Sequence, residues 1–166
     1  MLSKAKHPGI CETKLIEDPD YMISTDPARL DLDVIHRFLA KAYWSEGIPR
    51  ETLERAIQNS LCFGVYVQDR QAGFARVITD HATYAYLCDV FIVEDHRGRG
   101  LGKQLLEAVI SHPDLQGLRR WSLVTRDAHG LYQRVGFAPP KMPERYMEIA
   151  DPEPYRRTDP REKGSL

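Results

Sequence analysis

The chain has 166 residues, of which 42% are hydrophobic and 28% are charged, and both values are ordinary for a single globular domain. Its formal net charge of −1 creates no global attraction to nucleic acid or an anionic membrane, and no apolar run is long enough to span a bilayer. We therefore expect neither nucleic acid nor membrane among its partners.

Its three cysteines, Cys11, Cys62 and Cys88, are odd in number and far apart, and the N-terminus lacks an apolar signal-peptide core. These features predict a reducing, cytoplasmic location.

Both ends are polar and contain scattered prolines, which predicts flexible segments at 1–20 and 151–166 around a domain of residues 21–150. Apolar periodicity and turn residues predict the following elements in chain order: a strand at 21–25, helices that begin at Asp31 and Pro49, strands at 61–67, 74–78 and 84–93, a helix at 101–111, a strand at 121–125, a helix at 128–135 and a strand at 146–149. This order predicts an α/β (α+β) domain with a mixed sheet, because the helix at 101–111 makes a βαβ crossover.

The segment 97–102 reads Arg-Gly-Arg-Gly-Leu-Gly and joins the strand at 84–93 to the helix at 101–111. Glycines remove side chains from the turn, so that backbone N–H groups can converge on an anion. The start of the helix adds free N–H donors and the positive end of its dipole. Arg97, Arg99 and Lys103 add positive charge. The turn is therefore predicted to bind phosphate, and a pyrophosphate fits it best.

Two other phosphate-binding loops do not match this turn. A nucleotide P-loop requires Gly-Lys followed by Ser or Thr, whereas Gly102-Lys103 is followed by Gln104. A Rossmann turn requires a third glycine where Lys103 stands. The remaining pattern, Arg or Gln followed by x-x-Gly-x-Gly, resembles the pyrophosphate loop of the GNAT superfamily of N-acyltransferases, which bind acetyl-CoA.

A second segment carries the same resemblance. Residues 128–137 (AHGLYQRVGF) are similar to the family's A-x-x-(L/F)-Y-x-(R/K)-x-G-F segment, although Thr125 stands where many members have Asn. The resemblance implies a GNAT fold, with a mixed, mostly antiparallel twisted sheet of six to seven strands and about four helices. It also implies an enzyme that transfers an acetyl group from acetyl-CoA to a primary amine of a small molecule or protein by direct attack. No metal is expected. Many relatives dimerise, so a homodimer is compatible with the resemblance, but the sequence does not define the oligomeric state.

The resemblance also implies roles for individual residues. The implied cofactor-binding residues are Phe91, Ile92, Val93, Arg97, Gly98, Arg99, Gly100, Leu101, Gly102, Lys103 and Tyr132. In this family the strand backbone, here at Phe91 and Val93, pairs with pantetheine, and a tyrosine often protonates the leaving thiolate. Tyr132 is therefore the expected general acid, and the alternative is a packed aromatic side chain.

The acceptor side is predicted from two segments. Asp89 is the one carboxylate in an otherwise apolar strand, and it either serves the acceptor amine or pairs structurally with an arginine such as Arg76. Residues 86–89 resemble polyamine acetyltransferases in Tyr-Leu-x-Asp, although Cys88 stands where those enzymes carry Glu. In the loop between the first two helices, Tyr43, Trp44 and Glu46 either hold a cationic or aromatic amine or anchor the helix pair.

Two alternatives stay open at this point. A covalent route would use Cys88 as nucleophile, His81 or His129 as base and Asp89 as orienting group. Adjacent strand residues point to opposite faces, which opposes the pairing of Cys88 with Asp89. A non-catalytic acyl-CoA-binding or sensing module is the alternative from another functional class. The histidine and cysteine spacing supports no metal site, and the acceptor is not defined by the sequence.

Overall fold

The computed structural model describes residues 14–18, 20–151 and 153–155. Within these residues one sheet contains six strands in chain order: β1 Lys14–Asp18, β2 Tyr21–Ser24, β3 Leu61–Val67, β4 Arg70–Thr79, β5 Tyr84–Ile92 and β6 Arg120–Ser122. Neighbouring strands are antiparallel except β5 and β6, which are parallel. The predicted mixed, mostly antiparallel sheet is therefore confirmed.

Four α-helices accompany the sheet: α1 Leu32–Leu39, α2 Arg50–Gln58, α3 Leu101–Ser111 and α4 His129–Gln133. The α1 helix begins where predicted, because the Asp31 carboxylate accepts hydrogen bonds from the N–H groups of Asp33 and Val34 at 3.0 Å each. The crossover from β5 to β6 passes through α3, which explains why these two strands alone run parallel.

Each face of the sheet is covered by a separate hydrophobic cluster. On one face α3 packs through Leu105 and Val109 against strand residues that include Phe63 and Leu87. On the other face α1 and α2 pack against strand residues such as Phe91. The β5 strand therefore lies between two packed layers, and its side chains reach both of them.

The hairpin between β3 and β4 is tighter than predicted. Its turn consists of Gln68 and Asp69, with φ values of 49° and 61°, and β4 begins at Arg70 rather than at residue 74 as predicted. A two-residue turn with positive φ at both positions matches the twist of the flanking strands, so pairing starts immediately after it.

Three predicted boundaries are corrected. The β1 strand lies inside the segment 1–20 predicted to be flexible, because residues 14–18 find a partner in β2. The strand predicted at 121–125 ends at Ser122, where its pairing with β5 stops. Residues 146–149 form no strand, because no described strand lies beside them to pair with, and Ile149 is 86% exposed.

The predicted C-terminal tail, 151–166, is described only at 151 and 153–155. There Tyr155 packs against the α1–α2 cluster. The remainder of both predicted flexible segments, at 1–13, 19, 152 and 156–166, lies outside the described residues, as does Cys11.

Candidate functional site

The glycine turn forms the start of α3. Gly98 and Gly100 have φ values of +75° and +79°, and Gly100 is the N-cap residue of the helix. A Cβ at either position would meet no atom within 4 Å, so backbone conformation rather than crowding requires these glycines. The space beside them is open, and the unpaired N–H groups of the first turn of α3 adjoin it. A cradle of this kind fits an anion such as pyrophosphate.

The other predicted residues of the turn differ in what they can offer. Leu101 is 5% exposed and packs into the core, so its backbone N–H rather than its side chain is available to a ligand. Arg99 is exposed. Lys103 is also exposed and forms a 3.5 Å ion pair with Glu107 one turn later in α3. Exposed pairs of this type are weak, so a bound phosphate can compete with Glu107 for the lysine.

Arg97 makes two contacts that hold it against β5 and α1. Its Nε donates to the carbonyl of Ile92 at 2.9 Å, and its guanidinium carbon lies 6.0 Å from the centre of the Phe38 ring. The residue is exposed, and it lines the cavity beside α1. Arg97 therefore links the end of β5 to the turn that follows it.

The edge of β5 that faces β6 is only partly paired. The two strands pair from Tyr84 to Tyr86, and beyond that point β6 has no further residues in register with β5. Val93 donates its N–H to Ala72 at 2.8 Å, on the opposite, β4 side. Because backbone directions alternate along a strand, the N–H of Ile92 points toward the open edge. The N–H of Val93 is therefore engaged within the sheet, and the N–H of Ile92 is the one that lies at the gap.

Phe91 is buried and packs against α1. It is paired with Phe74 in the ladder, and its side chain is 5% exposed. Its ring stacks on Phe38 of α1 with the ring centres 3.9 Å apart. Phe91 thus fixes the distance between α1 and β5, and the expectation of free backbone groups fits Ile92 better than Phe91.

Asp89 lies in a β-bulge, which the sequence did not predict. Its φ is 54°, and the register between β4 and β5 shifts so that Asp89 and Val90 together oppose Ala75. The bulge turns Asp89 toward the α1–α2 face, where it meets Arg76 and Trp44. Cys88 and Asp89 therefore need not point to opposite faces of the sheet, because the strand is not regular here.

Both carboxylate oxygens of Asp89 are engaged. Arg76 donates from Nε to Oδ2 at 2.7 Å, and the indole N–H of Trp44 donates to Oδ1 at 3.2 Å. Arg76 also donates from Nη1 to the Ser60 hydroxyl at 3.2 Å. Burial alone would lower the pKa of the Arg76 guanidinium, but the charge of Asp89, its hydrogen bond and the nearby cysteines together outweigh burial, and the pKa is raised. The arrangement matches the structural alternative considered for Asp89.

Cys88 does not have the properties of a nucleophile. Burial raises the pKa of its thiol to about 12, and the neighbouring Asp89 charge contributes in the same direction. The thiol contacts the carbonyl of Arg76 at 3.5 Å. A thiol that stays protonated at neutral pH is a poor nucleophile, so the structure opposes the covalent alternative.

Tyr132 lies on α4, half-buried, with its ring 6.1 Å from that of Phe137. Burial raises the pKa of its hydroxyl to about 12, and the nearby Tyr43 contributes to the shift. The hydroxyl therefore remains protonated at neutral pH and can donate a proton. The Tyr132 side chain packs against the hydrophobic cluster that includes Leu87 of β5.

The loop after α1 combines two half-exposed aromatic side chains. Tyr43 and Trp44 are 46% and 43% exposed and pack edge to face at 4.9 Å. The guanidinium of Arg126, a residue of the loop before α4, lies 3.7 Å from the Tyr43 ring centre. The two aromatic residues therefore connect α1 to the region of α4 and Tyr132. Glu46 lies farther along the loop and lines a smaller cavity of about 200 Å³ with Tyr155.

The larger cavity, of about 560 Å³, lies between α1 and the segment after β5. Tyr43 and Trp44 line both cavities, whereas Glu46 lines only the smaller one. Four residues that the sequence did not single out complete one wall: Val34, Arg37 and Phe38 of α1, and Lys41 just after it. The spacing of the three helical residues places them on one face of α1, but only the packing of α1 across β5 identifies which face that is.

Within the described ranges, no group of three or more His, Cys, Asp or Glu side chains is arranged to hold a metal ion.

None of the helices described here combines the length and apolar character that crossing a bilayer requires.

Comparison with known proteins agrees with this geometry. The family model of the GNAT acetyltransferase domain matches residues 58–139. A candidate acetyltransferase of Gibberella zeae is 35% identical over 136 residues, which cover 68% of this chain and 76% of that protein. An uncharacterised N-acetyltransferase of Prochlorococcus marinus is 31% identical over 115 residues, which cover 66% of this chain and 63% of that protein.

A solved structure extends the match to most of the chain. The crystal structure of a candidate GNAT acetyltransferase from Xanthomonas campestris pv. campestris is 54% identical, with a TM-score of 0.82 over 84% of this chain and 99% of that one. The agreement in sequence, fold and glycine turn leads to one conclusion: the chain belongs to the GNAT family of acetyltransferases.

Proposed function

We propose that the protein transfers an acetyl group from acetyl-CoA to a primary amine by direct attack of the amine on the thioester. One observation carries the proposal: the anion cradle at Gly98–Gly100 and the open edge at Ile92 lie at the end of the same strand, β5. A ligand with a pyrophosphate and an extended amide arm matches both features. Acetyl-CoA has this combination, and when bound it supplies an activated acyl group.

The residues after β5 would hold the two ends of that ligand. The backbone N–H groups of Gly100 and the first turn of α3 are suited to the pyrophosphate, with Arg99 and Lys103 contributing charge. The N–H of Ile92 is suited to pair with an extended pantetheine arm, because a strand edge without a neighbour offers its donors to a β-like ligand. The gap between β5 and β6 leads from there toward Tyr132.

Tyr132 is the proposed general acid. In the reaction the amine nitrogen forms a bond to the acyl carbon while the bond from that carbon to sulfur breaks. The Tyr132 hydroxyl donates its proton to the departing sulfur and is reprotonated from water. Its raised pKa supports the role, since the hydroxyl carries its proton throughout the neutral range.

Asp89 is proposed to position the acceptor side rather than to act as a base. Its oxygens accept from Arg76 and Trp44, so it is not available to receive a proton from the amine without breaking these contacts. The proton released by the attacking amine passes to water. Trp44, held by Asp89, forms the wall beside the attacking amine.

The test is release of CoA thiol by the purified protein in the presence of acetyl-CoA and a panel of primary amines. Release that requires both an amine and the protein, together with acetylated amine detected by mass spectrometry, supports the proposal. Tight binding of acetyl-CoA with no acetylated amine from any class, protein lysines included, would instead favour an acyl-CoA-binding module.

A further inference from the structure

The cavity of about 560 Å³ lies between α1 and the segment after β5, and residues from two parts of the site line it. One is Trp44, whose indole N–H is bound to Asp89 in the bulge. Another is Arg97, the first residue of the glycine turn. A molecule in this cavity therefore lies beside the proposed path of the acyl donor, on the α1 side of the sheet.

One wall of the cavity is flat and aromatic. The ring of Phe38 stacks on Phe91 at 3.9 Å and lies 6.4 Å from that of Trp44, at an angle of 45°. Val34 and Val93 add aliphatic surface to the lining. Surfaces of this kind favour an apolar or planar body over a fully polar chain.

The charges around the cavity are mainly positive. Arg37, Lys41 and Arg97 line it, and among the described residues that do so Glu94 is the only acid. Arg37 is on α1, and Lys41 lies in the turn just after the helix ends, where its N–H donates to the carbonyl of Phe38 at 3.1 Å. Neither forms an ion pair with a described residue, whereas Arg50 of α2 pairs with both Asp33 and Glu54. Cations that form no ion pair with any described residue concentrate the local field at a partly enclosed surface and attract an anion.

The bulge provides no compensating carboxylate for a second ammonium group. Asp89 is 9% exposed, and its charge is matched by Arg76 at 2.7 Å. A polyamine acceptor would bring further positive charge next to Arg37 and Lys41, which is unfavourable. The resemblance of residues 86–89 to polyamine acetyltransferases therefore does not extend to the electrostatics of the cavity.

We propose that the acceptor is a primary amine that also carries an anionic group, a carboxylate or a phosphate, on a largely apolar body. The inference rests on the proposed acetyl transfer and specifies its acceptor. The anionic group binds Arg37 and Lys41, the body lies against Phe38, and the amine lies at the Trp44 end of the cavity. The amine then faces the part of β5 that lies close to Tyr132.

Matched pairs of amines test the proposal, with CoA thiol release as the readout. The pairs are phenylalanine and phenethylamine, tryptophan and tryptamine, and phosphoethanolamine and ethanolamine, and they separate carboxylate from phosphate recognition. We expect the anionic member of at least one pair to have a kcat/KM about tenfold higher, the size of effect that a charge-assisted contact produces. Equal use of both members, or preference for the uncharged members, overturns the proposal.

Variants then assign the effect to the cavity. Arg37→Gln and Lys41→Gln should each raise the KM for the preferred acceptor about tenfold and leave kcat and the KM for acetyl-CoA unchanged. Both residues are exposed, so folding is not at risk. Arg55→Gln is the matched control, because Arg55 is an exposed arginine of α2 that does not line the cavity. A rise in the KM for acetyl-CoA would overturn the proposal by assigning the cavity to the acyl donor.

The same pairs can be compared by binding if none is turned over. Thermal unfolding in the presence of CoA should then show greater stabilisation by the anionic member, and no difference within any pair contradicts the proposal. Failure of this inference is distinguishable from failure of the proposed function. Acetyl-CoA would still stabilise the protein in the first case, and it would not in the second.

Discussion

Arg76 and Asp89 form an ion pair across neighbouring strands, with Nε and Oδ2 2.7 Å apart and the two side chains 15% and 8% exposed. The second carboxylate oxygen accepts from the Trp44 indole. The pair therefore ties the β5 bulge to the loop that lines the cavity. Removing one member would leave the other charge buried without its partner, which is costly in a protein interior.

The substitution Asp89→Asn tests the structural role of this pair. Asn tolerates the positive φ of 54° at this position, so the backbone can keep its bulge. We expect the free energy of unfolding, measured in urea at pH 7, to fall by about 3 kcal/mol because Arg76 loses its counter-charge. Arg76→Met combined with Asp89→Asn should cost less than the sum of the single changes. Full stability with abolished turnover would instead identify Asp89 as a base.

Tyr132→Phe tests the general acid. Losing the hydroxyl should reduce kcat about a hundredfold, within the range for general acid catalysis, and leave the KM for acetyl-CoA nearly unchanged. Because the pKa of Tyr132 is raised to about 12, turnover by the unchanged protein should show no loss from this group between pH 7 and 10. Undiminished kcat in the variant would contradict the role.

Gly100 and Gly102 should differ in how alanine affects stability, because only Gly100 has a left-handed backbone conformation. Gly100→Ala forces a side chain into the left-handed region at φ +79° and should lower stability by about 1 kcal/mol. Gly102→Ala is the matched control, since Gly102 is inside α3 and its Cβ would make an ordinary 3.8 Å contact with Ile92. Its thermal midpoint should be unchanged or slightly higher. Equal losses in both variants would show that backbone conformation at Gly100 is not the constraint.

His112, between α3 and β6, predicts a dependence of stability on pH. It is 4% exposed, packs edge to face with Phe63, and accepts from the Asp114 N–H through Nδ1. Burial lowers the pKa of His112 from its ordinary value of 6.5. The positive charge of His81 lowers this pKa further, whereas the negative charge of Asp114 raises it by less than burial lowers it. The unfolded chain therefore binds a proton more readily, so the stabilisation is present above pH 6.5 and is lost as the pH falls below it.

His112→Asn separates this titration from the rest of the chain. The Asn side chain can still accept from the Asp114 N–H, but it does not titrate. Urea unfolding at pH 7.5 and 5.5 should show a smaller loss of stability in the variant than in the unchanged protein. Identical losses in both would assign the acid sensitivity to other groups.

Local sequence patterns predicted the parts of the site that depend on neighbouring residues. The turn from Arg97 to Gly102 follows from alternating glycines between an apolar strand and a helix. The start of α1 follows from Asp31, because an N-cap acts over three residues. The order of elements from β2 to α4 was confirmed for the same reason, since apolar periodicity is a local property.

Features that depend on distant partners were not predicted. The bulge at Asp89 carries no glycine or proline, and it depends on Arg76 of the adjacent strand. The aromatic and basic wall of the cavity depends on how α1 crosses β5 through the contact of Phe38 with Phe91. Residues 146–149 have strand-forming side chains but no described partner strand, so propensity alone was misleading there.

Thermal unfolding with and without acetyl-CoA tests the central claim most directly, with NAD as the comparison ligand and Gly100→Ala as the comparison variant. A ligand at a hundred times its dissociation constant adds about 2.7 kcal/mol to stability, which produces a clear shift of the midpoint. The account predicts such a shift with acetyl-CoA, a smaller one in the variant, and none with NAD. No shift with acetyl-CoA, or an equal shift with NAD, would contradict it.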